Sequence, residues 1–203
     1  MRSNHSRMPT APRRPRYFSG QLLTPDDFDA EQSYHLEARR QHNRHLHGWG
    51  IVSGLGVTAS GSGGVIVEPG LAIDGLGRTI VVPEPREMPD PRQPIDDRGN
   101  PCGRAVDAET VTLCLAYAER PDDETDAERF VRETYVLEVH PGPAPESRAH
   151  RPREQRVSIA TVAWPDGEPD VDLHPRHMLR SADDLLEIVH GLVRRVQALE
   201  QRR

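Results

Sequence analysis

The sequence predicts an α+β protein in which small antiparallel β-sheets lie between a long N-terminal helix and an amphipathic, coiled-coil-like C-terminal helix. Three observations support this prediction. A segment near the N-terminus has helix signals at both ends, the middle of the chain has short β-branched runs between Gly- and Pro-rich turns, and the C-terminal segment has a heptad period. Short strands joined directly by turns are typical of antiparallel pairing.

Composition limits the classes of function. The 203 residues are 35% hydrophobic and 29% charged, with 19 Pro and 16 Gly, so we expect a modest core and much loop. All 26 basic residues are Arg, and the net charge of -6 argues against nucleic-acid binding. The sequence has no secretion signal and no apolar run long enough to span a bilayer, so we expect a cytoplasmic protein without membrane insertion.

The first segment, residues 1–16, contains five Arg, three Pro and no acidic residue. Such a segment can bury too little apolar surface to fold by itself, so we expect a disordered basic arm. Its Arg13, Arg14 and Arg16 are candidates for contact with an acidic neighbour in an assembly.

The next segment predicts one helix, residues 25–47. Thr24 is a preferred N-cap, Pro25 suits the first helical position, and Asp27 can close a capping box on the N-cap residue. Gly48 can adopt the left-handed backbone that commonly ends a helix. Residues 17–82 therefore form a predicted module of helix and strands.

One face of this helix carries a row of mostly polar side chains at heptad spacing. Its members are Phe28, Gln32, His35, Arg39, His42 and Leu46, and Asn43 lies beside them. A buried polar group without a partner costs about 1–3 kcal/mol, so a buried row must be hydrogen-bonded. We interpret the first five members and Asn43 as an interface, and we expect Arg39, His42 and Asn43 to pair with the β region or another subunit. The alternative is a solvated face.

Four histidines on the same helix raise the question of a metal site. They are His35, His42, His45 and His47. No carboxylate or Cys stands at a spacing that completes a ligand set, and no nucleophile, base and orienting group occur together. We therefore predict no metal, no cofactor and no catalytic residue, and a metal-dependent enzyme using this helix is the second alternative.

Residues 50–82 predict a meander of three to five strands, because runs of Val and Ile alternate with Gly-rich turns and a Pro69-Gly70 turn or bulge. Residues 83–104 contain six Pro and predict a linker or a long loop. Residues 105–175 predict a second antiparallel β segment, which we expect to pack on the first because neither half has enough apolar residues for its own core. Whether Cys102 and Cys114 pair stays open.

The segment 181–203 predicts an amphipathic helix with Ser181 as its cap. A seam at 4-3-4-3 spacing, with Leu at d and Val at a, is formed by Leu185, Val189, Leu192, Val196 and Leu199. Further apolar residues widen this face beyond a two-helix seam. We interpret the seam as a self-association surface for two or three copies, and the alternative is packing against the chain's own domain.

Several motifs between residues 16 and 82 carry a resemblance. They are Arg16–Thr24, Asp26–Phe28, Glu31-Gln32, Tyr34, His42–Arg44, Leu46–Gly48, Gly50–Leu55, Val67–Asp74 and Gly77-Arg78. Together they resemble an uncharacterised bacterial and phage family, similar to the N-terminal part of tail-fibre and baseplate-associated proteins of phages and phage tail-like contractile injection systems. The resemblance implies a structural, oligomer-forming attachment module and gives no catalytic residues.

The resulting hypothesis is a structural assembly component, a baseplate- or fibre-associated adaptor of such a particle, and not an enzyme. We expect a homo-oligomer, dimer or trimer, that contacts other particle subunits in the cytoplasm, within a particle that can be released. The first alternative is a ligand- or glycan-binding module of a tail fibre. That alternative requires an exposed pocket lined by Trp49, Trp164 and the tyrosines.

Overall fold

The computed structural model describes residues 11–123, 129–144, 155–165, 167–180 and 182–200. Within these ranges helix α1 (Pro25–His42) is followed by antiparallel strands and then by helix α2 (Ala182–Glu200). The predicted α+β class is confirmed. The N-terminal ten residues of the basic arm and the predicted cap Ser181 lie outside the described residues.

Helix α1 begins at the residue that the sequence predicts. The backbone N–H and the hydroxyl of Thr24 both donate to the Asp27 carboxylate at 2.9 Å, and these two bonds lower the pKa of Asp27. The C-terminal end of this segment differs from the prediction of a continuous α-helix. Asn43–His47 forms a π-helical turn, and Gly48 ends this turn with a φ of 83°. The wider turn changes which of its side chains share a face.

Six short strands follow the helix. They are β1 (Gly50–Gly54), β2 (Val57–Ala59), β3 (Val65–Val67), β4 (Gly70–Ile73), β5 (Thr79–Val82) and β6 (Arg86–Met88). They form two three-stranded antiparallel sheets, in the orders β1-β4-β5 and β2-β3-β6. The two sheets are halves of one three-stranded meander, in which each strand is broken once at the same level.

The break in the meander has a local cause. Pro69 has no N–H to donate to a ladder, and Gly54 and Leu55 have φ angles of 62° and 57°. Two backbone hydrogen bonds bridge the break, from Leu55 N to Pro69 O at 3.1 Å and from Glu68 N to Gly56 O at 2.7 Å. The Pro69-Gly70 bulge that the sequence suggests is therefore part of a kink across all three strands.

The segment 83–104, expected as a linker or a long loop, contains two strands. Strand β6 pairs with β3, and β7 (Ile95–Asp96) pairs with β9 (Val131–Pro141). Met88 and Ile95 are buried in the core. The prolines flank these strands, where a missing N–H breaks no ladder hydrogen bond, so a high proline content was compatible with short strands.

A further sheet, separate from the meander, has five strands in the order β11-β10-β8-β9-β7. The remaining members are β8 (Thr110–Pro121), β10 (Arg156–Ala163) and β11 (Asp170–Asp172). Strands β8, β9, β10 and β11 all lie within the predicted β segment, residues 105–175. Cys102 and Cys114 do not form a disulfide bond with each other.

One hydrophobic core joins the two halves of the chain. Ile51, Leu55 and Ile80 of the meander belong to the same buried cluster as Leu113 and Leu137 of the five-stranded sheet. The expected packing of one half on the other is confirmed. Both helices lie outside this core, because α1 has no buried residue and every described core residue belongs to the β region.

Candidate assembly interface

Helix α2 presents an apolar face that no other described part of the chain covers. Eight large apolar side chains on it are between 40% and 65% exposed: Leu185, Leu186, Ile188, Val189, Leu192, Val193, Val196 and Leu199. We call these eight residues the α2 face. A contiguous apolar patch of this kind marks an interaction surface in a soluble protein. All five predicted seam residues lie on it, and the partner that covers it stays a prediction.

The polar row on α1 is exposed to solvent along most of its length in the single chain, with Phe28 49% exposed at its start. Of the three residues expected to pair, two have partners in the β region, whereas His42 contacts His47 and its pairing with another subunit stays a prediction. Arg39 donates to Glu133 of β9 at 3.3 Å, and Asn43 Nδ2 donates to the Gly77 carbonyl at 2.9 Å. Both bonds join α1 to the β region, while Gln32 and His35 remain exposed.

The π-helical turn brings two histidines together. His42 and His47 are five residues apart, and their Nε2 atoms lie 3.2 Å from each other. In an unbroken α-helix, His42 would instead share a face with His45, which is three residues away. Among the described residues, no three His, Cys, Asp or Glu side chains are grouped so that they could hold a metal ion.

The basic arm continues into exposed apolar residues that the sequence analysis did not include in the interface. Arg13, Arg14 and Arg16 are exposed in chain without regular structure, and Phe18 and Leu22 are 71% and 84% exposed. The sequence did offer a signal for these interface residues. They are large apolar residues between an Arg-rich segment and a helix, and they belong to no predicted strand. The arm therefore offers apolar and cationic contacts together.

The β4–β5 turn attaches helix α1 to the β region. Asp74 is fully buried, and its carboxylate accepts hydrogen bonds from the N–H groups of Leu76 and Arg78 at 2.9 Å and from Arg78 Nε at 2.6 Å. Gly77 has a φ of 80°, and a Cβ at this position would meet the backbone carbonyl of Arg40 in α1. The turn is thus an attachment point for the end of α1.

The same turn geometry occurs a second time at residues 96–100. Asp96 accepts from the N–H groups of Arg98 and Asn100 at 3.0 and 2.8 Å, and Gly99 has a φ of 84°. This second turn is more exposed than the first. Burial raises the pKa of Asp96, but its hydrogen bonds from Asn100 and Arg98 lower that pKa overall. The shared Asp-x-x-Gly spacing in the sequence was the signal for both turns.

Tyr117 connects the β4–β5 turn to the polar row of α1. The Arg78 guanidinium lies 4.7 Å from the centre of the Tyr117 ring. The Tyr117 hydroxyl donates to Glu119 at 2.6 Å and lies 3.1 Å from Glu133, which also accepts from Arg39. Burial, followed by the hydrogen bond to Glu119 and the nearby Glu133, raises the pKa of Tyr117.

We expect this tyrosine to make the protein sensitive to alkaline pH. A phenol with a raised folded-state pKa contributes stability that is complete below the ordinary value of 10.0 and is lost as the pH rises through the folded-state pKa. The chain has no Lys, so few other groups titrate in this range. Urea unfolding between pH 8 and about pH 11 should show a decline that is weaker in Tyr117→Phe. An equal decline in both proteins would contradict this assignment.

The connector, residues 173–180, fixes the start of α2 to the start of β1. Ile51 N–H donates to His177 O, and Leu179 N–H donates to Ile51 O, both at 2.7 Å, in a parallel arrangement. The ring of Trp49 lies 4.7 Å from that of His177, and Arg176 donates to the Gly54 carbonyl. The chain leaving α1 and the chain approaching α2 are therefore bound to each other.

Two clefts in the described chain are lined mainly by charged side chains. One, of about 410 Å³, lies between α1 and the β8 region, and the other, of about 520 Å³, is lined by four Arg and three acidic residues. Each has one tyrosine in its lining. Trp49 and Trp164 line neither cleft, and Arg92 lies 3.7 Å from the centre of the Trp164 ring. This geometry gives no support to an aromatic glycan pocket.

Neither described helix combines the length and the apolar character that crossing a membrane would require. No protein-family profile and no curated protein matches the sequence. Solved structures show a weak likeness to this chain, among them the following two. The crystal structure of TssK aligns with 13% identity and a TM-score of 0.41 over 79% of this chain, and this chain spans 40% of that one.

The second structure is a chain of the TssK-TssF-TssG baseplate subcomplex of the type VI secretion system, determined by cryo-electron microscopy. It aligns with 15% identity and a TM-score of 0.44 over 96% of this chain and 73% of that chain. Both solved structures contain TssK. At similarity this low, two chains need not have the same fold or the same role.

Proposed function

We propose that this chain is a structural component of a phage tail-like contractile injection particle, where it acts as an adaptor between baseplate- or fibre-associated parts. The observation that carries the proposal is the uncovered α2 face. The resemblance of residues 16–82 to proteins of such particles supplies the class of assembly. The proposal gives the chain no catalytic step and places it in the cytoplasm, within a particle that can be released.

An adaptor needs separate surfaces for separate neighbours, and this chain has them. The α2 face is apolar, whereas the exposed part of the α1 row is polar, with Gln32, His35 and His42 accessible to solvent. Burial of one large aliphatic side chain contributes about 1.5–3 kcal/mol, so the α2 face favours a permanent contact. The α1 row and the arm residues Arg13, Arg14 and Arg16 suit a polar or acidic neighbouring subunit.

The proposal is tested in the source bacterium with a tagged chain and a deletion of its gene. Sheathed particles isolated by ultracentrifugation should contain the chain by mass spectrometry, and the deletion should lower the number of complete particles in electron micrographs. Restoring the unaltered gene is the positive control. Normal particle numbers without the chain, together with its absence from wild-type particles, would exclude the proposed role.

A variant of the α1 row tests which surface contacts the other subunits. Gln32→Glu combined with His35→Glu changes exposed side chains that lie outside the core, so the fold should be unchanged. We expect this double variant to remain folded and self-associated but to be depleted from particles. Ser33→Glu combined with Ala38→Glu, which alters other exposed positions of the same helix, is the matched control.

A further inference from the structure

The heptad positions of α2 specify more than an apolar face. With Leu185, Leu192 and Leu199 at d and Val189 and Val196 at a, the flanking g and e positions are also determined. The first flanking pair is Ile188 at g and Val193 at e, and the second is Arg195 at g and Glu200 at e. The face therefore has an apolar part followed by an oppositely charged pair near its C-terminal end.

In a parallel, in-register bundle, each g position faces the e position of the next heptad in the neighbouring helix. Ile188 then meets Val193 of the partner subunit, and Arg195 meets Glu200 of the partner subunit. An antiparallel arrangement sets g against g and e against e. Depending on the register, that arrangement places Ile188 against Arg195 or Leu186 against Glu200, so that an apolar side chain faces a charged one.

We propose that the α2 face is covered by the α2 helices of further copies of this chain, arranged parallel and in register. The inference rests on the proposed assembly role and names the occupant of its apolar surface. The complementarity of Arg195 and Glu200 supports a second copy over an unrelated partner. These two residues are five positions apart, so within one helix they do not face each other.

The isolated helix is too short to associate strongly without the rest of the chain. It has 19 residues, and helices of this length are marginally stable in water. Gly191 lies at a c position, away from the seam, and lowers helix stability by about 1 kcal/mol relative to Ala without leaving a gap in the seam. The test therefore uses the full chain, in which the connector holds the start of α2 on β1.

Charge exchange tests the arrangement. Arg195→Glu and Glu200→Arg each place like charges at the facing g and e positions, and we expect each to weaken self-association about two- to fivefold by analytical ultracentrifugation. The double variant restores opposite charges and should recover most of the loss. Arg194→Glu, at an outward f position, is the matched control and should change little. Two losses that simply add in the double variant would overturn the parallel pairing.

Cross-linking gives an independent readout of direction. In a Cys102→Ser background, Leu199→Cys should form a disulfide between copies, and Leu185→Cys should do the same. An antiparallel pair separates two copies of residue 199 by about 20 Å, so it would cross-link only a mixture of the two variants. Cross-links restricted to the mixture, or a wild-type chain that stays monomeric at tens of micromolar, would overturn the inference.

These outcomes separate the inference from the proposed function. A chain that enters sheathed particles but remains a monomer by itself retains the adaptor role, and its α2 face is then covered by another subunit. A chain that forms the parallel bundle but never enters a particle has the inferred partner without the proposed role.

Discussion

Replacing Asp74 with alanine should lower the free energy of unfolding by about 3–5 kcal/mol, because a fully buried carboxylate is removed from its partners. Two backbone N–H groups and the Arg78 guanidinium lose their acceptor, and the Arg78 side chain is only 17% exposed. Urea unfolding followed by circular dichroism measures this loss. Asp74→Asn keeps one acceptor oxygen and should be destabilised less.

The second Asp-x-x-Gly turn provides the matched control. Asp96→Ala removes the same pair of turn hydrogen bonds from a more exposed site, where water can replace the carboxylate, so we expect a loss of about 1 kcal/mol. The difference between Asp74→Ala and Asp96→Ala isolates the contribution of burial and of the Arg78 ion pair. Equal losses would show that the buried position adds nothing.

Gly77→Ala should be the second strongly destabilising change, at about 2–4 kcal/mol. A Cβ at this residue combines the strain of a φ of 80° with a contact against the Arg40 carbonyl of α1. The end of α1 must move away from the turn, so the hydrogen bond from Asn43 to Gly77 should also weaken. Hydrogen exchange in residues 36–47 should become faster, beyond the effect on global stability.

Gly99→Ala separates the two causes. Gly99 has nearly the same φ, 84°, but its nearest side-chain atom would be an Arg86 nitrogen at 3.6 Å, which is an ordinary contact. This variant should therefore show the backbone strain alone, about 1–2 kcal/mol, and leave exchange in α1 unchanged. Similar exchange in α1 for the two variants would mean that the turn does not hold the helix.

Local signals predicted the elements whose cause is local. Thr24 and Asp27 are three residues apart, so the start of α1 could be predicted from the sequence, and the apolar face of α2 followed from its heptad spacing. The π-helical turn could not, because Asn43 is bonded to Gly77, which is thirty-four residues away. Strands β7 and β11 have two and three residues, which is too few to show a period.

The site was predicted less completely than the fold. The importance of Asp74 depends on its burial in the β4–β5 turn, and burial of a carboxylate has no sequence pattern. The polar character of the row predicted that Arg39 needs a partner. The sequence could not identify Glu133 as that partner, because Glu133 is distant in sequence. Whether the α2 face lies against the chain's own domain depended on the fold of the remaining residues.

The attachment of the connector to β1 determines how the molecule bears a pulling force. Helix α1 joins β1 from its N-terminal side, α2 leaves the connector on its C-terminal side, and the two segments run parallel. Tension between the helices therefore slides the segments along each other and strains both Ile51 hydrogen bonds at once, rather than opening them one after another. Resistance to such a load is a matter of unfolding rate, so this junction can be mechanically strong even in a protein of ordinary stability.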